Sequence, residues 1–488
     1  MRLVSHSARL AALTFAAAAA SGCAVLGHPV GPDYVAPQLE APSGWLSQAP
    51  LGVAPSGWDV LGDPLLQDLV LQAGAENRSL AAATADVERA RALRRAASGE
   101  LWPSANASAA QSDIRNSENG LIPFGALPGG ATEANVTDLE LAAIWNLDLS
   151  GALSRGVEAA RARTQALEAA RAALGLGVAA EVAETYVALR SAETQFTLAE
   201  RAVEIRARTL LLAEQRFAAG DASRFDVERA LAARQRAEAR VPALRTQIVR
   251  LRLALGPLTG QSPQALARRL AATPDQLEAR TLHVGATPLQ VLARRPDVLQ
   301  AERSFAAAVA NIGVAEGRLY PSLTLVGAIG AEARAVDDLF AAESRTSVFG
   351  PSLRLPILGR GRLRALVDGE TAAAEAARAH FDHAVMAALA DADAAMSAAT
   401  EAGRRLELMD QAVDATARAQ QLALVRYESG EDSLSPLLEA DRELIDVEFE
   451  RAEARAALLT ANVRLIRAMG GPPSELGDDI LRGRTLQE

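Results

Sequence analysis

Leu101-Trp102-Pro103-Ser104 recurs as Leu319-Tyr320-Pro321-Ser322, and this repetition decides the fold. Two more segments also recur: Trp145–Gly151 as Leu355–Gly361, and Arg216–Gly220 as Arg426–Gly430. The offset is 218 positions for the first pair and 210 for the others, so the first copy carries eight extra residues. Because insertions concentrate in exposed loops, we expect a variable loop there. A tandem repeat of this length predicts one architecture built twice.

The N-terminus has the order of a secretory signal peptide: Arg2 and Arg9, a weakly apolar run, and then small residues. Ala20-Ser21-Gly22-Cys23 resembles a bacterial lipoprotein signal, which predicts a signal peptide at 1–22 and lipid acylation of Cys23. The alternative is cleavage at a small residue beside a chance cysteine. Cys23 is the only cysteine, so no internal disulfide can form. For such lipoproteins, the absence of Asp after the cysteine indicates the outer membrane.

Composition excludes several functional classes. Hydrophobic residues make up 49% of the chain but aromatic residues only 4%, and the abundant alanine favours closely packed helices. The net charge is −10 without a basic cluster, which argues against nucleic-acid binding. No segment after Cys23 resembles a transmembrane helix, so a membrane crossing would require strands. We find no phosphate-binding or nucleophile motif and expect no enzyme activity, cofactor or metal; His380 and His383 are expected to be a surface pair.

Period-two alternation predicts four strands. After an extended arm at 23–62, a helix should begin at Asp63-Pro64 and end near Ser98. A strand at about 105–114, a loop, and a strand at about 136–149 should follow, because apolar and polar side chains alternate in the last segment. The second copy repeats the pattern at about 322–330 and about 347–356.

Two very long helices follow the strand pairs. Residues 153–219 contain no proline and would extend about 100 Å as one helix. Residues 362–429 form a second such segment, and each is followed by a turn and a return helix, which predicts coiled-coil packing. The repeats are therefore placed at 63–260 and 261–471, with a tail at 472–488. Each repeat should have the order helix, strand, strand, long helix, helix.

The strand count requires more than one copy of the chain. Strands of about ten residues can cross a bilayer when tilted. Four strands cannot close a barrel, and an open edge is not tolerated in lipid. The sequence therefore predicts an oligomer that shares one barrel, without giving its order.

The chain resembles the TolC-type outer membrane factors, specifically the NodT/OprM-like lipoproteins of efflux systems. The motifs that carry the resemblance span nearly the whole mature chain: Trp58–Pro64, Arg294–Val298, Ile312–Ala315, Leu319–Leu323, Pro356–Arg362, Arg426–Gly430 and Ala468–Gly471. The resemblance implies a mainly helical homotrimer whose 12-stranded transmembrane β-barrel continues into a periplasmic α-helical coiled-coil barrel. It also implies an outer-membrane lipid anchor, a periplasmic adaptor protein and an inner-membrane pump, usually of the resistance-nodulation-division type.

The resemblance also suggests a periplasmic gate in the second repeat. It places an aromatic gate residue at Tyr427, an acidic residue at Glu439 and a neighbouring Arg442, with Asp432 adding negative charge in the hairpin turn. Three copies of Glu439 around an axis would repel one another and attract cations. The alternative is an ordinary solvated Glu–Arg pair on a helix surface. The first repeat has Arg229 where the second has Glu439, so only one hairpin is expected to constrict the duct.

The predicted function is therefore a passive exit duct for drugs or other small toxic compounds. One alternative keeps the duct but assigns it to type I secretion of polypeptides. The other is a structural coiled-coil lipoprotein of the periplasm, which would not explain four symmetrically placed strands.

Overall fold

The computed structural model describes residues 29–39, 41–47, 57–117, 132–272, 277–283 and 285–471. The predictions for the signal peptide, Cys23 and the tail at 472–488 lie outside these residues. The described helices are α1 (Pro64–Glu76), α2 (Arg78–Gly99), α3 (Ala152–Ala219), α4 (Arg224–Thr259), α5 (Pro263–Ala272), α6 (Pro288–Arg294), α7 (Pro296–Gly317), α8 (Arg360–Glu428) and α9 (Leu434–Ala468). The described strands are β1 (Ser104–Arg115), β2 (Glu133–Leu147), β3 (Ser322–Ala333) and β4 (Arg345–Arg354).

Two details differ from the sequence-based prediction of the first repeat. The expected single helix from Asp63 to Ser98 is wrong, because the chain breaks at Asn77. The Asn77 side chain accepts hydrogen bonds from the backbone N–H groups of Ser79 and Leu80, and so caps a new helix, α2. β2 ends at Leu147, two residues earlier than expected.

Two short helices at the start of the second repeat were not predicted. These are α5 and α6, and a reciprocal capping box between Thr287 and Gln290 begins α6. Arg295 is the C-cap of α6, and Pro296 opens α7 in the first helical turn, where proline is favoured.

The chain forms two compact units, each assembled from segments of both repeats. Unit 1 comprises Met1–Ala36, Val87–Ala166 and Ala301–His380. Unit 2 comprises Pro37–Asp86, Leu167–Gln300 and Phe381–Glu488. The repeats are therefore units of sequence, and neither forms a compact body alone.

Unit 1 contains one antiparallel sheet in the order β1-β2-β3-β4. The register aligns side chains of like polarity: Leu141 lies opposite Ile329, Trp145 opposite Leu325, and Asn146 opposite Thr324. One face is apolar through Ala105, Ala107, Ala109, Leu139, Leu141, Trp145, Leu323, Leu325, Ile329, Phe349 and Leu353. The other face is mixed. It carries the polar residues Ser104, Asn106, Ser108, Asp138, Glu140, Asn146, Thr324, Glu332, Thr346, Ser352 and Arg354 together with the apolar residues Ile144, Val326 and Val348. In the described residues, β1 and β4 are unpaired on their outer edges.

Unit 2 has an aliphatic core organised around a buried polar network. Leu61, Leu66, Leu69, Leu189 and Leu255 are fully buried in it. Asp63 lies among these leucines and caps α1, because one of its carboxylate oxygens accepts hydrogen bonds from the Leu65 and Leu66 backbone N–H groups. Its other oxygen accepts a 2.6 Å hydrogen bond from the Tyr186 hydroxyl. The Arg190 Nε donates to the same hydroxyl at 3.0 Å, so this buried network is satisfied by its own members.

One long helix is apolar enough to cross a membrane by length and composition alone. An 18-residue window within α3 has a mean hydropathy of 1.4, and 44% of that window is buried. The expectation that no segment after Cys23 resembles a transmembrane helix is therefore wrong for α3 as regards length and composition. Alanine raises the hydropathy of α3. The core helix of a soluble protein can have the same length and hydropathy, so this property alone does not make α3 a membrane span.

Candidate functional site at the helical hairpins

The two helical hairpins of unit 2 turn in the same way. α3 and α4 are joined at Gly220, and α8 and α9 at Gly430, with φ values of 87° and 82° that favour glycine. Each turn is closed by an equivalent backbone hydrogen bond: Asp221 N to Arg216 O at 2.8 Å, and Glu431 N to Arg426 O at 3.0 Å. The sequence repeat therefore corresponds to a repeat of local structure.

The caps that begin the two return helices differ. Ser223 and Asp226 form a capping box at the start of α4. Ser433 makes no side-chain cap at the start of α9. In the second turn Asp432 instead accepts two hydrogen bonds from Arg426, at 2.6 and 3.2 Å, and these lower the pKa of the Asp432 carboxyl. Asp432 therefore acts within the turn as the partner of Arg426.

Tyr427 is buried inside the chain, with only 2% of its surface exposed. It packs with Leu210, Val227 and Leu437, so its cluster joins all four hairpin helices. The Arg216 guanidinium lies 4.9 Å from the centre of the Tyr427 ring and donates a 2.8 Å hydrogen bond to the Tyr427 carbonyl. Burial raises the pKa of Tyr427, and its buried hydroxyl has no hydrogen-bond partner in the described residues. Tyr427 thus joins the two hairpins in a single chain.

Glu439 and Arg442 lie on the exposed surface of α9 and do not contact each other in a single chain. Arg442 pairs with Asp446 at 3.4 Å, so it does not neutralise Glu439. The described residues include no hydrogen-bond or ion-pair partner for Glu439. The carboxylate of Glu439 is therefore available to meet a ligand or another copy of the chain.

The buried charge of this region lies at Asp441, which the sequence analysis missed. Asp441 is 1% exposed, and its Oδ2 accepts hydrogen bonds from Thr209 Oγ1 at 3.0 Å and from Arg206 Nη1 at 3.4 Å. Its Oδ1 accepts a 2.9 Å hydrogen bond from Gln420 Nε2. These partners come from α3 and α8, so one carboxylate of α9 joins three helices.

Burial dominates the electrostatics of this cluster. It raises the pKa of Asp441, although Gln420, Arg206 and Thr209 all favour the ionised form. Burial also lowers the pKa of Arg206, although Asp441 opposes that shift. Both members of the pair are therefore pushed towards their neutral forms, as expected where desolvation exceeds attraction.

The sequence contained a signal for this site. Leu434, Leu437, Leu444 and Ile445 form the buried stripe of α9, and Asp441 occupies the same stripe at helical spacing. A charged residue within a predicted buried stripe implies a partner on the facing helix. Glu439 lies outside that stripe, and it was predicted as a gate residue from the family resemblance.

A second candidate feature is the N-terminal arm, which is clamped to unit 1. The Arg155 side chain, 5% exposed, donates to the carbonyls of Val30 at 3.2 Å and Gly31 at 3.3 Å, and pairs with Asp33 at 2.6 Å. The Val30 backbone N–H donates to the carbonyl of Ser150, just after β2. The arm is therefore fixed at the end of the sheet from which α3 begins.

Comparison with known proteins agrees with this architecture. The family described as outer membrane efflux protein matches residues 69–261 and 287–471. The toluene efflux pump outer membrane protein TtgF of Pseudomonas putida is 28% identical over 477 residues, which cover 93% of this chain and 95% of that protein. The pyoverdine export outer membrane protein OpmQ of Pseudomonas aeruginosa is 30% identical over 422 residues, covering 85% of this chain and 86% of its own.

A solved structure supports the same assignment. The structure described as the outer-membrane channel OprN superposes with a TM-score of 0.84 at 30% identity, covering 91% of this chain and 99% of that one. The two relatives and the channel are matched over most of their own length, so the likeness concerns the whole protein. The chain belongs to the outer membrane efflux protein family.

Proposed function

We propose that three copies of this chain form the passive exit duct of a tripartite efflux system in the outer membrane. The carrying observation is the sheet of unit 1, which has one mainly apolar face, one mixed face that carries Asp138, Glu140 and Glu332, and two unpaired outer edges in the described residues. An open edge in lipid would leave backbone groups without hydrogen bonds. Pairing β1 of one copy with β4 of the next removes both edges, and three copies give a barrel of twelve strands.

The polarity of the sheet fits such a barrel. Outer-membrane strands alternate apolar side chains towards lipid and polar side chains towards the lumen. The face with Leu141, Trp145 and Ile329 would then contact lipid, and the face with Asp138, Glu140 and Glu332 would line the duct. The strands contain 10 to 15 residues, enough to cross the hydrocarbon layer when tilted.

The long helices supply the periplasmic part of the duct. α3 and α8 contain 68 and 69 residues, or about 100 Å each at 1.5 Å per residue. A periplasmic adaptor and an inner-membrane pump, of the resistance-nodulation-division type, would complete the path. Since TtgF and OpmQ are named for toluene and pyoverdine, we propose small organic compounds as cargo and prefer them to polypeptides.

The clamped arm supports acylation of Cys23. Pro29 follows Cys23 by six positions, which span at most about 21 Å. Because Arg155 fixes the arm at the end of the sheet, an acyl chain on Cys23 would reach the membrane surface beside the barrel. Trp102 and Trp145 lie at this same end, and tryptophan favours the membrane–water interface.

We further propose that Glu439 forms the constriction of the duct, with Asp441 and Tyr427 holding the hairpins that carry it. Glu439 is exposed and unpaired in the described residues, so three copies would meet as a ring of carboxylates. At about 6 Å and an effective dielectric of 20, each pair of charges would repel by roughly 3 kcal/mol before screening. In one chain Arg442 pairs with Asp446 and does not reach Glu439. Arg442 would therefore neutralise Glu439 only between copies.

The duct is tested by oligomeric state and by complementation. Purified protein should run as a heat-modifiable trimer with strand signal in detergent. The wild-type gene should restore resistance to small toxic compounds in a strain deleted for it. A monomer that restores nothing would contradict the proposal, whereas restored polypeptide secretion alone would assign the duct to type I secretion.

The gate is tested by single-channel conductance in planar bilayers. Glu439→Gln should raise conductance and reduce cation preference, because it removes the ring of charges. Glu443→Gln is the matched control, since Glu443 is also exposed and lies one helical turn away. Equal effects of the two substitutions, or none from the first, would exclude Glu439 as the constriction.

A further inference from the structure

Unit 2 has an apolar groove without an assigned function. It has a volume of about 430 Å³ and is lined chiefly by Trp58, Val70, Leu71, Leu80, Leu176 and Leu299. Residues of α3 between Ala169 and Ala179 also line it, so it extends about 15 Å along that helix. We call this feature the α1–α3 groove. Leu71 lies on its wall and is 73% exposed in the single chain.

The described part of the chain ends in this groove. Gly470 and Gly471 have φ values of 90° and 77°, so two successive left-handed residues redirect the backbone after α9. A Cβ on Gly470 would lie 3.0 Å from the carbonyl oxygen of Arg294, and one on Gly471 would lie 2.8 Å from Leu176 Cδ1. Gly470, Arg294 and Leu176 all line the groove. The described chain therefore ends at Gly471, against the wall of this groove.

The groove also has a cation that is not used within the described chain. Arg295 is fully engaged by Asp297, Asp391 and the Ala468 carbonyl. Its neighbour Arg294 is half-buried, and the described residues include no ion-pair partner for it. An occupant with apolar side chains and a carboxylate would therefore complement the groove.

Residues 472–488 have that composition. The segment reads Pro-Pro-Ser-Glu-Leu-Gly-Asp-Asp-Ile-Leu-Arg-Gly-Arg-Thr-Leu-Gln-Glu, with apolar Leu476, Ile480 and Leu481 beside the acidic Glu475, Asp478 and Asp479. Leu476 follows Gly471 by five residues, which span at most about 18 Å. That reach matches the length of the groove.

We propose that residues 472–488 fold back into the α1–α3 groove of the same chain. Leu476 and Ile480 cover the apolar wall, and an acidic side chain of the segment pairs with Arg294. This docking covers Leu71 and would make the segment a structural part of unit 2. The inference is independent of the duct proposal, because it requires neither a trimer nor transport.

Disulfide trapping in the full-length protein tests the docking. Cys23 is the only native cysteine, so introduced pairs can be identified without ambiguity. Leu71→Cys combined with Leu476→Cys or Ile480→Cys should form an intrachain disulfide at least about tenfold faster than Leu253→Cys with the same tail cysteine. Leu253 is a matched control, because it is a half-exposed leucine of unit 2 outside the groove. Equal rates at the two positions would overturn the proposal.

A second measurement does not depend on the chosen pair. Leu71→Cys should react with a maleimide at least about fivefold more slowly in the full-length chain than in a chain that ends at Gly471. Adding Arg294→Gln to the full-length variant should recover part of that reactivity. Unchanged reactivity after truncation, or disulfides that form only between two copies, would refute docking within one chain.

Discussion

The buried pair of Arg206 and Asp441 gives the sharpest test of how the hairpins are held. The two charges are 3.4 Å apart, and the side chains are 10% and 0% exposed. Their attraction is about 5 kcal/mol at an effective dielectric of 20. Desolvation of each ion costs several kcal/mol, so the intact pair contributes little net stability. Removing one member leaves the other buried and unpaired, which costs about 3 to 5 kcal/mol.

We therefore expect Arg206→Met, which leaves the Asp441 carboxylate buried and unpaired, to destabilise the hairpins strongly. A paired apolar replacement should be tolerated. A loss of about 3 kcal/mol corresponds to a roughly 150-fold increase in local opening. Hydrogen exchange of the amides around Arg206 and Asp441 measures this directly. The double variant Arg206→Met/Asp441→Leu should lie within about 1.5 kcal/mol of the wild type. Glu443→Gln, two residues from Asp441 but exposed, is the control and should not change exchange.

The pH dependence of the same site has a definite sign. Burial raises the pKa of Asp441 in the folded chain above its ordinary value, so the folded state binds this proton more tightly. The resulting stability is full below the unfolded-state pKa of about 4 and is lost as the pH rises through the folded-state pKa. The apolar double variant should lack this decline. If the costs of the two single apolar substitutions simply add, or if Arg206→Met exchanges like the wild type, the account of a desolvated pair is refuted.

Three further substitutions test other parts of the chain. Tyr186→Phe removes the hydroxyl that donates to the buried Asp63, and it should lower the free energy of unfolding by about 1 to 3 kcal/mol in a denaturant titration. Tyr320→Phe is the control, because Tyr320 is exposed, and it should leave the free energy of unfolding unchanged. Asn77→Ala removes the cap of α2 and should cost about 1 kcal/mol by the same measurement; no change would exclude that cap as the cause of the helix break. Arg155→Met should release the arm and speed its cleavage in limited proteolysis, and unchanged cleavage would show that other contacts hold it.

The architecture of this chain could be predicted because its signals are local. Alternation in β2 and β3 depends on residues two apart, and it predicts both the strands and their apolar face. The long helices follow from segments without proline. The equivalent turns at Gly220 and Gly430 follow from the repeated sequence. The same motifs indicated the family that the comparisons confirm.

Other features could not be found from local signals. The break at Asn77 competes with a helix-favouring sequence on both sides, and only the capping hydrogen bonds show which prevails. The short helices α5 and α6 contain only 10 and 7 residues, and in segments this short the apolar pattern does not separate a helix from a strand. The buried stripe of α9 marked Asp441 as unusual, but nothing in its neighbourhood identified its partner.

The sequence by itself determined the repeats, the strands, the long helices and the family, because each of these depends on spacing along the chain. The tertiary structure alone decided which charges meet. Arg206 and Asp441 are 235 residues apart, and their contact depends on the register between two long helices. It also showed that Arg442 turns to Asp446 and that Tyr427 is buried. A side chain's environment depends on packing between distant segments, which the periodicity of one segment does not encode.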